Sequence, residues 1–211
     1  MSLTVLGNLA RRRGACALIA IKERLRCKTR LADVLTPAAR LDLVRSMLTA
    51  VLEAAGNAQT VHQVIVISPE RDTVPAEIPV LADTGESLNS ALIQAHTVLR
   101  EFGCHEVVVL PADLPMITST EIDELVRAGR DGGFALASDT AGIGTNALCL
   151  VSTQPFRFQF GSDSRRLHLQ EAQLLGATPR ELHLPGLEFD VDSPADLKQW
   201  DGQSWLTQLR A

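Results

Sequence analysis

A chain of 211 residues, 45% of them apolar and 21% charged, is long enough for one domain with a substantial buried core. Its formal net charge of −5 argues against a general nucleic-acid binder, yet leaves room for a local basic cluster that serves a small anion. Four cysteines (Cys16, Cys27, Cys104, Cys149) have neither metal-ligand spacing nor a Cys-x-x-Cys pair, so reduced thiols in a cytoplasmic protein are expected.

Residues 1–13 read as an N-terminal extension and 14–211 as a single domain. After Arg11-Arg12-Arg13 and Gly14-Ala15, the uncharged stretch runs only from Cys16 to Ile21 before Lys22 interrupts it. That is short for a signal-peptide core and far from the ~20 apolar residues of a membrane span, so no membrane association is expected.

From Cys16 onward, strand-like and helix-like segments alternate. Cys16–Ile21 reads as a strand ending in the basic stretch Lys22–Arg30. Thr36-Pro37 supplies an N-cap followed by proline at the first helical position. The helix it opens places Leu41, Val44, Leu48, Val51, Leu52 and Ala55 on one face, and Gly56 is expected to stop it. Val61–Ile67 is a buried strand closed by Ser68-Pro69, and Ile78–Leu81 a short one leading into Asp83-Thr84-Gly85. A second amphipathic helix carries Leu88, Leu92, Ala95, Leu99 and Phe102, with Gly103 past its end.

The run Val107–Leu110 reads as a strand buried on both faces. Thr118 and Glu121 have capping-box spacing for the next helix. Strands are then expected at Phe134–Ser138 and after the turn at Gly142, a helix at Ser164–Leu175, and a strand around Leu187–Val191 before a short Ser193-Pro194 helix. This β-α alternation predicts an α/β domain with a mainly parallel sheet flanked by helices.

Four segments carry chemistry. In Pro111-Ala112-Asp113-Leu114-Pro115 a lone carboxylate stands between two prolines where a buried strand ends. Ligands of open α/β sheets gather at that edge, so Asp113 is a candidate for holding a metal–phosphate complex; the alternative is a turn-capping Asp. Lys22, Arg24, Arg26, Lys28 and Arg30 place five cations within nine residues after the first strand, which suits a triphosphate. This is not a Walker A loop, because no glycine scaffold precedes a Lys-Ser/Thr pair, and an exposed basic loop of no consequence is the alternative.

In Asp190-Val191-Asp192, extended-chain alternation sends both carboxylates to one face. Two such charges repel by roughly 4 kcal/mol at 4 Å with an effective dielectric near 20. A divalent cation removes that cost, and oxygen-only ligands favour Mg²⁺ or Mn²⁺ over zinc. The alternative is that Asp192-Ser193-Pro194 starts a helix with Asp190 solvated. Finally, Gly142-Ile143-Gly144-Thr145-Asn146 and Phe160-Gly161-Ser162-Asp163-Ser164 let backbone amides approach an anion, the second at a helix N-terminus. The five histidines show no nucleophile or ligand pattern, so a Ser-His-Asp hydrolase has no support.

Together these segments resemble the 2-phospho-L-lactate guanylyltransferase family of coenzyme F-420 biosynthesis, which includes phosphoenolpyruvate and 3-phospho-D-glycerate guanylyltransferases. The resemblance runs from about Cys16 to Leu197. It is carried by Lys22-x-x-x-Arg26-x-Lys28-Thr29-Arg30-Leu31, Asp83-x-Gly85-x-x-Leu88-Asn89, Ala112-Asp113-Leu114-Pro115 and Gly144-Thr145-Asn146-Ala147-Leu148. Phe160-Gly161-x-Asp163-Ser164-x-x-x-His168 and Asp190-Val191-Asp192-Ser193-Pro194 complete it. Glu23 departs from the family pattern, which often has proline there.

The resemblance implies a nucleotide-diphospho-sugar transferase fold like that of the molybdenum-cofactor guanylyltransferases. It implies attack of a phosphate oxygen of a three-carbon acid on the α-phosphorus of GTP, with pyrophosphate leaving. On this analogy Lys22, Lys28 and Asp113 are catalytic, and Asp113, Asp190 and Asp192 hold Mg²⁺ or Mn²⁺. Arg26, Arg30, Gly85, Leu88 and Asn89 contact GTP, while Thr145, Gly161 and Ser164 hold the phospho-acid. A homodimer or a handover enzyme of the same pathway is the implied partner. The alternatives are a related nucleotidyltransferase for molybdopterin or a sugar phosphate, and a non-catalytic nucleotide-binding regulatory protein.

Overall fold

The computed structural model describes residues 14–21, 28–69, 71, 74–83 and 87–200. The expected N-terminal extension, 1–13, lies outside the described residues. The elements are β1 (Ala15–Ala20), a 3-10 turn (Thr29–Leu31), α1 (Pro37–Asn57), β2 (Val61–Ser68), β3 (Val80–Ala82), α2 (Leu88–Glu101) and β4 (Glu106–Pro111). They continue with α3 (Ser119–Gly132), β5 (Phe134–Ser138), β6 (Thr145–Val151), α4 (Ser164–Leu174), β7 (Arg180–Leu182), α5 (Pro185–Glu188) and α6 (Pro194–Gln199).

The strands form one sheet in the order β3-β2-β1-β4-β6-β5-β7. β1 pairs in parallel with both β2 and β4, β2 with β3, and β5 with β7; β6 runs antiparallel to β4 and β5. The expected mainly parallel sheet is therefore present, with one reversed strand, β6, between β4 and β5. Alternation along β1 divides the core. Ala15, Ala17 and Ile19 join Val51 and Ala55 of α1 and Leu125 and Val126 of α3 on one face. Cys16 and Leu18 face Leu92, Ala95 and Leu99 of α2 on the other. Because neither face of the inner strands meets water, their sequences are continuous apolar runs.

Helix ends follow local chemistry. Thr36 accepts from Ala39 N–H ahead of Pro37, and Thr118 and Glu121 form the expected reciprocal capping box. Three expectations need correction. α1 runs through Gly56 to Asn57, since Gly56 is not among the residues with positive φ and so is an ordinary helical residue, not a left-handed stop. Its buried positions are Leu43, Met47, Leu48, Val51, Ala54 and Ala55, rotated from the expected stripe. The cause is a second contact: Leu43 and Met47 pack on Leu31, Phe189, Val191 and Leu197, away from the sheet.

That same cluster explains why Leu187–Val191 is not a strand. Pro185 opens a single helical turn, α5, and Phe189 and Val191 then turn into the α1 cluster instead of a ladder. The seventh strand is Arg180–Leu182, an exposed three-residue edge strand beside β5 with no apolar pattern to announce it. Cys16, Cys104 and Cys149 are buried free thiols, as expected, and Cys27 lies outside the described residues.

Candidate active site

Register places the site. Ala20 of β1 lies opposite Pro111 of β4, so both strands end at the same level and Asp113 emerges there. Asp113 O accepts from Val191 N–H at 3.4 Å, which brings the 190–192 segment against the end of β4. Val191 is fully buried, so its neighbours Asp190 and Asp192 are directed outward beside Asp113. One carboxylate oxygen from each of Asp113, Asp190 and Asp192 lies within 4.8 Å of the others. The capping box at α6 holds this geometry, because Asp196 accepts from the backbone N–H groups of both Asp192 (3.0 Å) and Ser193 (2.7 Å).

Lys28 closes the cluster. Its ammonium donates to Asp113 Oδ2 and Asp192 Oδ1, each at 2.6 Å, and its side chain is only 8% exposed. Leu31, fully buried, anchors the 3-10 turn that follows, and Lys28 itself adopts a left-handed conformation (φ 53°, ψ 40°). For a residue other than glycine that costs about 1 kcal/mol or more, so backbone strain is held where the charge is needed. Burial disfavours the Lys28 ammonium, but Asp113 and Asp192 outweigh it and hold its pKa above the usual lysine value. Burial, then repulsion from Asp113 and Asp192, raises the Asp190 pKa; Asn146 Nδ2, 3.4 Å from Oδ1, opposes the shift.

One ammonium against three carboxylates leaves a surplus of negative charge in a confined, all-oxygen donor set. That is the chemistry of a hard divalent cation site, and the residues fit Mg²⁺ or Mn²⁺. Arg30 stands 3.8 Å from Asp192 Oδ2 with its side chain 77% exposed, so it adds long-range charge more than a fixed contact.

A cavity of about 660 Å³ opens from this cluster across the carboxyl ends of β1 and β4. Lys28, Arg30, Leu88 and Asn89, expected to meet the nucleotide, line it. Thr145, Gly161 and Ser164, expected to meet the phospho-acid, line the same cavity, as do the three aspartates. Lys22, Arg26 and Gly85 lie outside the described residues.

The hydrogen bonds give several of these residues supporting partners. Asn89 uses both ends of its amide on Phe160, donating to its carbonyl at 3.0 Å and accepting from its N–H at 2.8 Å. Thr145 N–H donates to Ser164 Oγ at 2.8 Å. The first amides of α4 are partly used, Ser164 N–H on Gly161 O and Arg165 N–H on Ile143 O, so the helix start is less open than a bare N-terminus. Two residues named in the sequence motifs have partners that the sequence did not show. Asn146 ties Glu188 O (2.9 Å) and Asp190 to β6, and His168, fully buried, contacts Thr145 Oγ1 at 3.0 Å. The motif that carries the resemblance contains both, but neither has a spacing that shows its partner.

A doubly covered, mostly parallel sheet with a cluster of three carboxylates at its carboxyl edge has the fold of the nucleotidyltransferases. The fold likeness is direct: a nucleotidyl transferase from Methanothermobacter thermautotroptrophicus superimposes with a TM-score of 0.62 at 14% identity, covering 93% of this chain and 100% of that one. Over residues 15–199 the chain matches the family described as "Guanylyl transferase CofC like". The phosphoenolpyruvate guanylyltransferase of Sphaerobacter thermophilus is 35% identical over 192 residues, covering 89% of this chain and 93% of that protein. That of Rubrobacter xylanophilus is 36% identical over 187 residues, covering 86% and 90%. The chain belongs to the CofC-like guanylyl transferase family and is a guanylyltransferase of that type.

Proposed function

We propose that this enzyme transfers GMP from GTP to the phosphate of a three-carbon phospho-acid in the cytoplasm, as a step of coenzyme F-420 biosynthesis. The acid is phosphoenolpyruvate, after the relatives' names. The observation that carries the reading is the carboxylate triad Asp113, Asp190 and Asp192, neutralised in part by Lys28, in the lining of a cavity of about 660 Å³.

In this reading a phosphate oxygen of the acid attacks the α-phosphorus of GTP. The bond to the bridging oxygen of the β-phosphate breaks, pyrophosphate leaves, and a phosphoanhydride joins guanosine to the acid. Asp113, Asp190 and Asp192 would hold Mg²⁺ or Mn²⁺, and the ion would supply charge neutralisation for the transferring phosphate. Lys28 and Arg30, with Lys22 and Arg26 from the preceding stretch, offset the triphosphate charge, and Gly85, Leu88 and Asn89 form the nucleotide side. Thr145, Gly161 and Ser164 hold the phospho-acid. No protein nucleophile is required, because both reactants are anions and the chain's task is alignment and charge neutralisation.

The test is pyrophosphate release with each nucleoside triphosphate against phosphoenolpyruvate, 2-phospho-L-lactate and 3-phospho-D-glycerate, with Mg²⁺ and after chelation. Turnover is expected with GTP and phosphoenolpyruvate and is expected to vanish on chelation. Turnover with CTP and a sugar phosphate, but not with GTP and any of the three acids, would overturn the reading.

A further inference from the structure

We propose that His168 is a positioning residue that fixes the hydrogen-bond polarity of Thr145, making the Thr145 hydroxyl a committed donor to the anionic phospho-acid. The inference rests on the reading in which Thr145 faces that acid and deepens it by saying what sets the site's preference for an anion.

The polarity follows from one backbone group. Gln159 N–H points at His168 Nε2 at 2.8 Å, and a backbone N–H can only donate. Nε2 must therefore carry a lone pair. A neutral imidazole with an acceptor at Nε2 has its proton on Nδ1. Nδ1 lies 3.0 Å from Thr145 Oγ1, so that hydroxyl accepts from the ring. Its own proton is then left to point elsewhere, and among the described residues no protein acceptor takes it. Thr145 lines the cavity, which leaves a ligand there as the partner.

The neighbouring hydroxyl is set the same way. Thr145 N–H donates to Ser164 Oγ at 2.8 Å, and Ser164, too, lines the cavity with its proton unclaimed by any described protein group. Two hydroxyls, each accepting from a buried N–H, present two donors to one space. Such a pair favours an anion and disfavours an amine or a second donor.

The ring has little freedom to undo this. His168 has no exposed surface and packs between Phe156 and Phe160, with centroids 5.9 and 4.7 Å away. Phe160 is itself clamped by Asn89. Burial lowers the His168 pKa to about 4, so the neutral form persists through the physiological range.

The experiment is a double-mutant cycle on the intact enzyme, reading KM for phosphoenolpyruvate and for GTP, kcat and the unfolding temperature. His168→Gln keeps an acceptor near the Nε2 position but has no donor for Thr145. It is expected to raise the phosphoenolpyruvate KM about tenfold, with the GTP KM and kcat within about twofold. His168→Asn restores a donor near the Nδ1 position and is expected to recover most of that loss. Thr145→Val raises the same KM, and His168→Gln added to it has no further effect.

Equal increases in both KM values for His168→Gln, or full additivity with Thr145→Val, would reduce His168 to a packing residue and overturn the proposal alone. An unchanged phosphoenolpyruvate KM in Thr145→Val would overturn the assignment of Thr145 to the acid, and the proposal with it.

Discussion

Two residue clusters at the cavity are built on opposite physical plans. Around Asp113, Asp190 and Asp192 the site is charged, partly exposed and electrostatically incomplete, with Lys28 held in a strained backbone conformation to offset it. Around Thr145, Ser164 and His168 it is neutral and buried, each of the N–H groups that orient the two hydroxyls having an acceptor. The difference matches two tasks. Under the proposed function, the cluster that would receive a cation and a departing pyrophosphate works by unbalanced charge, whereas the one that would orient a small acid works by fixed hydrogen-bond direction.

This contrast can be broken at the charged side first. Asp113→Asn is expected to lower turnover by roughly 10³-fold or more, with the circular dichroism spectrum and unfolding temperature little changed. Wild-type rates in that variant would make Asp113 a turn residue. Lys28→Met is expected to lower turnover by roughly 10²-fold, because the ammonium bridges two of the three carboxylates and has no substitute of equal burial.

The neutral side shows itself in stability instead. His168 and His96, both buried, have folded pKa values near 4 against 6.5 for the free side chain. Between these values the unfolded chain takes up protons that the folded chain excludes. Stability is therefore unaffected by these groups above about pH 6.5 and falls as pH drops toward 4, by on the order of 3 kcal/mol each. Thermal unfolding compared at pH 7 and pH 5 checks the direction; a higher unfolding temperature at pH 5 would contradict it. Least affected is the exposed rim: Arg30→Ala should change turnover by no more than about threefold, more at low than at high salt.

The sequence made the centre of this comparison legible and left its supports hidden. Val107–Leu110 could be read as a buried strand because an unbroken branched apolar run has few other homes, and Asp113 followed from its end. Asp190 and Asp192 share a side by simple alternation. Leu187, Phe189 and Val191 alternate just as well, yet Leu187 joins the sheet's core while Phe189 and Val191 pack with Leu43 and Met47 of α1, because alternation reports an apolar side and not which surface covers it. Arg180–Leu182 gave no signal, since an exposed edge strand needs only backbone partners. The cationic stretch could be seen, but that Lys28 alone among its described members is buried between two aspartates depends on the turn anchored by Leu31. His168 and Thr145 are 23 residues apart, and their polarity depends on where Gln159 N–H points, which no local pattern encodes.

The central claim, nucleotidyl transfer from GTP to a phospho-acid across this carboxylate cluster, is tested most directly by following the phosphorus nuclei. With GTP, phosphoenolpyruvate and Mg²⁺, ³¹P NMR should show a new pair of coupled phosphoanhydride resonances appearing in step with pyrophosphate. Release of GDP and inorganic phosphate without a coupled pair, or no reaction under these conditions, would contradict the account.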